Sequence, residues 1–131
     1  MNIPSLAVSA LSACALAACA QTQPAENVPA PSPAVKVTGA AQSCIPLQPL
    51  SSTAVRDDRT IDFIVSGKRG YRNTLTGSCP GLKAANAFTY ETSLSQLCNT
   101  DIIYTLQNYG GTPQRGAACG LGQFVPVEFQ R

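Results

Sequence analysis

Four widely spaced cysteines constrain the fold of this chain more than any other feature. They are Cys44, Cys79, Cys98 and Cys119. Zinc sites usually bring their ligands in close pairs such as C-x-x-C, and no two of these cysteines are that close. An even set of distant cysteines in a small domain is typical of structural disulfides. We therefore expect two bridges and no bound metal.

The composition excludes several classes of function. The chain has 131 residues, enough for one compact domain, and it contains no His. Histidine general bases and Ser-His-Asp catalysis are thereby excluded. The formal net charge of +2 is too close to balance to predict nucleic-acid binding. Neither Gly110-Gly111 nor Gly120-Leu121-Gly122 has the Lys-Ser/Thr of a phosphate-binding loop, so no cofactor is predicted.

The amino-terminal segment predicts export and a lipid anchor. Residues 5–18 carry no charge and are too short to span a bilayer as a helix, so we interpret residues 1–18 as a signal peptide. The run Leu16-Ala17-Ala18-Cys19 resembles the lipobox of bacterial lipoproteins, in which the Cys is lipidated and becomes the first residue. A second match ending at Cys14 would leave a very short apolar region, so Cys19 is the predicted lipidation site. A soluble periplasmic protein is the alternative.

We interpret residues 19–43 as the lipidated Cys followed by a disordered tether, and residues 44–131 as the folded domain. The segment has no aromatic residue and cannot form a core, and its prolines favour extended, polyproline-like geometry. Ala20 follows the lipobox Cys in place of Asp. By resemblance to sorted lipoproteins, this favours an outer-membrane protein whose domain faces the periplasm.

The domain shows the two-residue alternation of half-buried strands. Ile61, Phe63 and Val65 alternate with their neighbours, residues 66–70 predict a turn, and the extended pattern resumes over residues 71–75. This pattern predicts a hairpin.

Further strands extend the hairpin into an all-β domain. An extended run at residues 52–56 precedes the Asp57-Asp58 turn and completes a three-stranded meander. Later strands are predicted at residues 88–92, 101–106 and 123–129, a helical turn at 82–87, and a short helix to Leu97 from the capping-box spacing of Ser93 and Gln96. We therefore expect a small β-roll or barrel-like sandwich of about six short strands. The predicted core residues are Ile61, Phe63, Val65, Tyr71, Leu75, Phe88, Tyr90, Leu97, Ile102, Tyr104, Leu106 and Val125.

Four cysteines allow three pairings, and the predicted strand order favours one of them. In an up-and-down meander, Cys44 and Cys98 each precede an odd-numbered strand and lie at one end of the sheet. Cys79 follows the third strand and Cys119 precedes the sixth, which places both at the other end. Because bridged Cα atoms lie within about 7 Å, we favour Cys44 with Cys98 and Cys79 with Cys119.

Carboxylates and cations are the remaining candidates for a functional site. A hydrolase would need two carboxyls about 5–9 Å apart, and no spacing fixes such a pair. The candidate acids are Asp57, Asp58, Asp62, Glu91 and Asp101. We expect the adjacent pair Asp57 and Asp58 to hydrogen-bond turn amides instead, so an enzyme is the least favoured class.

Five cations lie close together along the meander, namely Arg56, Arg59, Lys68, Arg69 and Arg72. The first two flank the Asp57-Asp58 turn. Lys68, Arg69 and Arg72 have no acidic neighbour after Asp62 in the hairpin, so we predict that they form an anion-binding ridge, with Arg72 held most firmly because it lies on a strand. A solvated basic edge that discourages strand pairing is the alternative.

Several blocks of the domain resemble a family of short bacterial envelope proteins. The blocks are Arg56-Asp57-Asp58-Arg59-Thr60-Ile61, Tyr71-Arg72-Asn73, Cys79-Pro80-Gly81-Leu82, Thr92-Ser93-Leu94-Ser95-Gln96-Leu97-Cys98 and Cys119-Gly120-Leu121-Gly122. That family is classed as a domain of unknown function, so the resemblance implies domain limits and disulfides but no activity. We expect a lipid-anchored structural or binding module that contacts an acidic envelope polymer or an envelope protein. A small inhibitor or accessory subunit of an envelope enzyme is the alternative.

Overall fold

The computed structural model describes residues 29–130, which form antiparallel β-structure with one short helix. Ten strands in these residues make three sheets. The strands are β1 (Val35–Val37), β2 (Cys44–Pro46), β3 (Ser52–Asp57), β4 (Thr60–Ser66), β5 (Arg69–Thr74), β6 (Phe88–Tyr90), β7 (Gln96–Cys98), β8 (Ile102–Tyr109), β9 (Thr112–Gly120) and β10 (Phe124–Phe129), with helix α1 (Leu82–Ala85) after β5. In this part of the chain, no helix is long and apolar enough to cross a membrane. The predicted all-β fold class is confirmed.

The largest sheet has five strands in the order β1-β10-β5-β4-β3, and every neighbouring pair is antiparallel. Strands β3, β4 and β5 are the predicted meander. In their register, Asp62 lies opposite Arg72 and Phe63 lies opposite Tyr71. Gly67 turns the β4–β5 hairpin with a φ of 52°, a left-handed value that favours glycine. The carboxyl-terminal strand β10 joins the sheet beside β5.

Two smaller sheets complete the fold, one of β6-β8-β9 and one of β2-β7. The predicted helix after Ser93 is wrong: residues Gln96–Cys98 form strand β7, in which Leu97 lies opposite Ile45. Both of these side chains are fully buried. Burial of Leu97 in the core therefore overrides the local capping-box preference.

The two disulfides are Cys44–Cys98 and Cys79–Cys119. Cys44 and Cys98 lie directly opposite each other on β2 and β7, with Cα atoms 4.0 Å apart. The other bridge joins the loop after β5 to β9 and has a Cα–Cα distance of 5.7 Å. The pairing favoured by the predicted strand order is confirmed.

The main core lies between one face of the five-stranded sheet and the three-stranded sheet. Phe63 is at its centre, where its ring meets Phe124 and Phe88 edge-on at centroid distances of 5.4 and 6.2 Å. Ile61 and Val55 extend this apolar face along β4 and β3. The other buried members of the cluster are Ile45, Leu75, Cys79, Leu82, Leu97, Ile103 and Leu121.

The sequence predicts part of this core and misplaces the face of β8. Burial of Ile61, Phe63, Leu75 and Leu97 is confirmed, and Tyr71, Phe88 and Tyr90 pack against the core while half-buried. On β8, however, Ile103 and Thr105 point inward, and the predicted core residue Ile102 is 43% exposed. Tyr104 and Leu106 share the outward face with Ile102 and are half-buried, as are Val65 and Val125. Counting apolar residues selects the wrong face here, because a shift of one residue reverses every side chain of a strand.

The folded domain begins well before the predicted limit at Cys44. Strand β1 lies inside the predicted tether and pairs with β10, so that Val35 lies opposite Phe129. The amide of Thr38 donates to the Pro126 carbonyl at 2.9 Å, and Gln42 exchanges two backbone hydrogen bonds of 2.8 Å with Phe124. A three-residue strand carries too little alternation to be recognised, and its partner is distant in sequence.

At Gly70, strand β5 packs closely against the backbone of β4 and the ring of Phe129. A Cβ atom at this position would lie 2.2 Å from the Phe63 carbonyl oxygen and 3.1 Å from the Phe129 ring, so Gly70→Ala forces the backbone to move. We expect this variant to lower the free energy of unfolding by about 2–3 kcal/mol in urea titrations. The matched control Gly77→Ala meets nothing within 4 Å and changes stability by less than about 1 kcal/mol. Equal stability of the two variants would contradict this packing.

Candidate functional site

A buried ionic cluster lies on the face of the five-stranded sheet opposite the main core. Asp62 on β4 is fully buried and accepts hydrogen bonds from two arginines on the flanking strands. Arg72 on β5 donates through Nε to Oδ1 at 2.7 Å and through Nη2 to Oδ2 at 2.9 Å. Arg56 on β3 donates through Nε to Oδ2 at 2.6 Å. One carboxylate therefore joins three neighbouring strands.

Arg72 also fixes the chain segment that enters the domain. Residues 29–34, which we call the proline strap, lie across this face of the sheet. Nη1 of Arg72 donates to the Pro31 carbonyl at 3.2 Å, and Nη2 donates to the Pro33 carbonyl at 2.9 Å. The Gln130 amide donates to the Ala34 carbonyl at 2.8 Å. The strap is thereby fastened to both β5 and the end of β10.

These contacts correct the predicted role of Arg72. Its guanidinium makes four hydrogen bonds inside the protein, and the residue is buried. The expectation that Arg72 is left free by its hairpin neighbours is wrong, because Asp62 pairs with it. Anion binding by Arg72 stays a prediction, which these internal contacts disfavour. Asp62 is distant along the chain but directly opposite on the adjacent strand, where a carboxylate and a guanidinium form a two-point contact.

The other two members of the predicted ridge lie at the exposed end of the β4–β5 hairpin. Lys68 is in the turn, and Arg69 donates to the Ser66 hydroxyl at 3.4 Å. Glu128 lies opposite Arg69 on one side and opposite Lys36 on the other. Opposite charges in neighbouring register positions favour the sheet and reduce the local positive charge. The structure thus brings Lys68 and Arg69 together on the surface and separates Arg72 from them.

The five candidate carboxylates all have partners within the fold. Asp62 holds the arginines, and Oδ1 of Asp57 accepts from the Arg59 amide at 2.8 Å, as predicted for a turn. Oδ1 of Asp58 accepts from the amide of Lys83 in α1 at 2.7 Å. Oδ2 of Asp101 accepts from the Cys98 amide at 2.7 Å, and Glu91 pairs with Arg115. The hydrogen bond and charge of Glu91 raise the pKa of Arg115 above its ordinary value.

A cleft of about 890 Å³ separates the proline strap from the β3–β4 turn. Its far wall includes Asp57, Asp58, Arg59 and Ser78. Arg59 is held by a hydrogen bond of 3.2 Å from its Nε to the Leu75 carbonyl. Among the described residues, no group of three or more Cys, Asp or Glu side chains could hold a metal ion. The cleft is a mixed-charge surface in which the Asp57 carboxylate also fixes the β3–β4 turn and the Asp58 carboxylate also holds helix α1.

The tip of the β8–β9 hairpin is continuously exposed. Every residue from 108 to 115 is exposed, and Tyr109 at the tip is 62% exposed. Its hydroxyl donates to Oε1 of Gln107 at 2.7 Å, which orients the ring. Gly110 and Gly111 form the turn with φ values of 61° and 85°. The sequence predicts a glycine-rich loop here, and the Gly-Gly pair between two extended runs is the signal that identifies a hairpin.

Comparison of the chain with models of protein families, with curated proteins and with solved structures finds no match. The function must therefore be inferred from the residues and geometry of the chain itself.

Proposed function

We propose that the protein is a lipid-anchored module of the cell envelope that binds a partner protein through the β8–β9 hairpin. The observation that carries this proposal is the continuous exposure of residues 108–115, with Tyr109 at the tip. Tyr is enriched at binding hot spots because its ring buries a large apolar area while its hydroxyl keeps a polar partner. The partners found for the five candidate carboxylates favour binding over hydrolysis.

The anchor is proposed from the lipobox at Leu16-Ala17-Ala18-Cys19, which lies outside the described residues. The contact between the proline strap and Arg72 then sets how far the domain can lie from the membrane. Roughly ten residues separate Cys19 from Pro29, and they reach at most about 35 Å. A tether that continued to Cys44 would reach about 85 Å. We therefore propose that the domain works close to the outer-membrane surface, in the periplasm.

The anchor is tested by Cys19→Ala. We expect the native protein to partition into the detergent phase of Triton X-114, because acyl chains gain about 0.8 kcal/mol for each buried methylene. Cys19→Ala should move it to the aqueous phase. Cys14→Ala is the matched control and should leave the partition unchanged. Aqueous partition of the wild type would refute lipidation.

The hairpin is tested by site-specific photo-crosslinking in intact cells. A photoreactive phenylalanine analogue replaces Tyr109 in the full-length protein, and in a second strain it replaces Leu94, which is also exposed but lies outside the hairpin. We expect one discrete crosslinked species from position 109 and none from position 94. Equal or absent crosslinking at the two positions would contradict binding through the hairpin.

An inhibitor or accessory subunit of an envelope enzyme is the second candidate, and the same hairpin favours it. A narrow two-stranded element with an aromatic tip has a shape that fits an enzyme cleft. Mass spectrometry of the crosslinked species distinguishes the candidates, because this one requires an enzyme as the partner. The proposal of an acidic polymer as the partner rests on Lys68 and Arg69 alone, because Arg72 is buried.

A further inference from the structure

The outer edge of strand β3 carries backbone groups that face away from the sheet. The amide of Leu75 donates to the Arg59 carbonyl at 2.8 Å. Because backbone groups alternate in direction along an antiparallel strand, Ile61 and Phe63 on β4 also direct their N–H and C=O groups toward β5. The residues between them direct theirs toward β3. Thr53 and Val55 lie opposite Phe63 and Ile61, so they direct their backbone N–H and C=O groups outward. Strand β3 is the last strand of the sheet on this side.

A groove of about 440 Å³ runs along this edge. One wall is β3 from Thr53 to Arg56, and the other is residues 86–88, where the chain enters β6. Phe88 lies on the side of the main core, where its ring meets Phe63. A strand lies about 4.8 Å from its neighbour, so a groove beside outward-facing backbone groups can hold an added strand.

Positive charge borders the same groove. Nζ of Lys83 lies 3.4 Å from the Val55 carbonyl, and within the described residues Lys83 has no carboxylate partner. Arg56 lines the groove and contacts Asp62 through Nε. Edge strands are commonly protected by proline or an inward charge. Strand β3 contains no proline. Its edge is protected at one end, where Arg56 points inward to Asp62 and a bulge follows Val55, and by Lys83 beside the groove.

We propose that the outer edge of β3 is a docking site for an extended acidic segment of a partner protein, which adds a sixth strand to the sheet. Backbone hydrogen bonds to Thr53 and Val55 supply the register. Alternate side chains of the segment meet Phe88 on one face and Arg56 on the other, and an acidic residue pairs with Lys83. A second copy of the chain fits less well, because β3-to-β3 pairing brings two positively charged grooves together. This site is independent of the β8–β9 hairpin.

The test uses the isotope-labelled full-length Cys19→Ala protein and a probe peptide, acetyl-Thr-Val-Glu-Val-Glu-Val-Thr amide. We expect the probe to shift the amide resonances of Thr53 and Val55 and to slow their hydrogen exchange. A peptide with Lys in place of Glu should bind at least about fivefold more weakly, as for one lost ion pair. A probe N-methylated at alternate residues should not bind, because it lacks the donors of a strand.

Two lysine variants separate the groove from general charge. Lys83→Ala should weaken probe binding about fivefold, whereas Lys68→Ala, which removes an equal charge outside the groove, should leave it unchanged. The proposal is overturned if millimolar probe leaves Thr53 and Val55 unaffected, or if the methylated probe binds equally well. Protection of these amides by dimerisation without peptide would assign the edge to a second copy instead.

Discussion

Replacing Asp62 by Asn is expected to lower the free energy of unfolding by about 3–5 kcal/mol. The substitution keeps the size of the side chain but removes the negative charge that Arg72 and Arg56 share. The Arg72 side chain is only 10% exposed, so its charge stays buried without a counter-ion. Urea titration followed by circular dichroism measures the loss.

Asp57→Asn is the matched control for this experiment. Asp57 is the last residue of β3. Its carboxylate accepts a hydrogen bond from an exposed turn amide and holds no buried cation. We expect the control to cost about 1 kcal/mol or less. If both Asn variants lose the same stability, the ionic cluster does not stabilise the sheet in the way its geometry indicates.

Removing the Cys79–Cys119 bridge as a double Ala variant is expected to have the second large effect. The bridge closes a loop of sequence separation 40, and the loss of its constraint on the unfolded chain corresponds to about 4 kcal/mol. Cys79 is fully buried in the core, so the vacated volume adds to this cost. Urea unfolding of oxidised wild type and variant gives the difference.

The Cys44–Cys98 bridge provides the comparison. Its sequence separation of 54 predicts a similar constraint of about 4 kcal/mol, but its cysteines lie outside the buried core. We therefore expect the Cys44→Ala, Cys98→Ala variant to lose less stability than the Cys79→Ala, Cys119→Ala variant. The reverse order, or wild-type stability indifferent to reductant, would contradict the assigned roles.

The meander could be predicted because its signals are local. Ile61 and Phe63 alternate within one strand, and Asp57-Asp58 and Gly67 define the adjacent turns. The disulfide pairing was predicted correctly from an up-and-down strand order that the structure does not have, since Cys44 and Cys98 lie in the separate β2-β7 sheet and Cys119 lies on β9.

The missed elements depend on partners distant in sequence. Strand β1 is stabilised by β10 at the other end of the chain, and β7 is stabilised by pairing with β2. Neither short segment has a pattern that distinguishes it from a linker or a helical turn. The inward face of β8 was also misassigned, because Ile102 and Ile103 are adjacent and either could start the alternation.

The candidate site was also mispredicted because its contacts join residues from different strands and segments. Arg72 looks unpaired when acidic residues are sought only after Asp62 in the hairpin, yet Asp62 itself lies directly opposite on β4. The carbonyls of Pro31 and Pro33 come from a segment whose composition predicts a linker. A cation is available to a ligand when no carboxylate lies beside it in the folded protein. The distance to the nearest acidic residue along the chain does not decide this.

Whether Arg72 serves the fold or a ligand is measured most directly by amide hydrogen exchange in the full-length protein. The amides of Thr38 and Gln130, which bond to Pro126 and Ala34, report on the proline strap and β1. We predict that they exchange at least about a hundredfold more slowly than in an unstructured chain, and that Arg72→Gln removes most of this protection. Arg69→Gln should leave it intact. Fast exchange in the wild type, or full protection in Arg72→Gln, would contradict the structural role of Arg72.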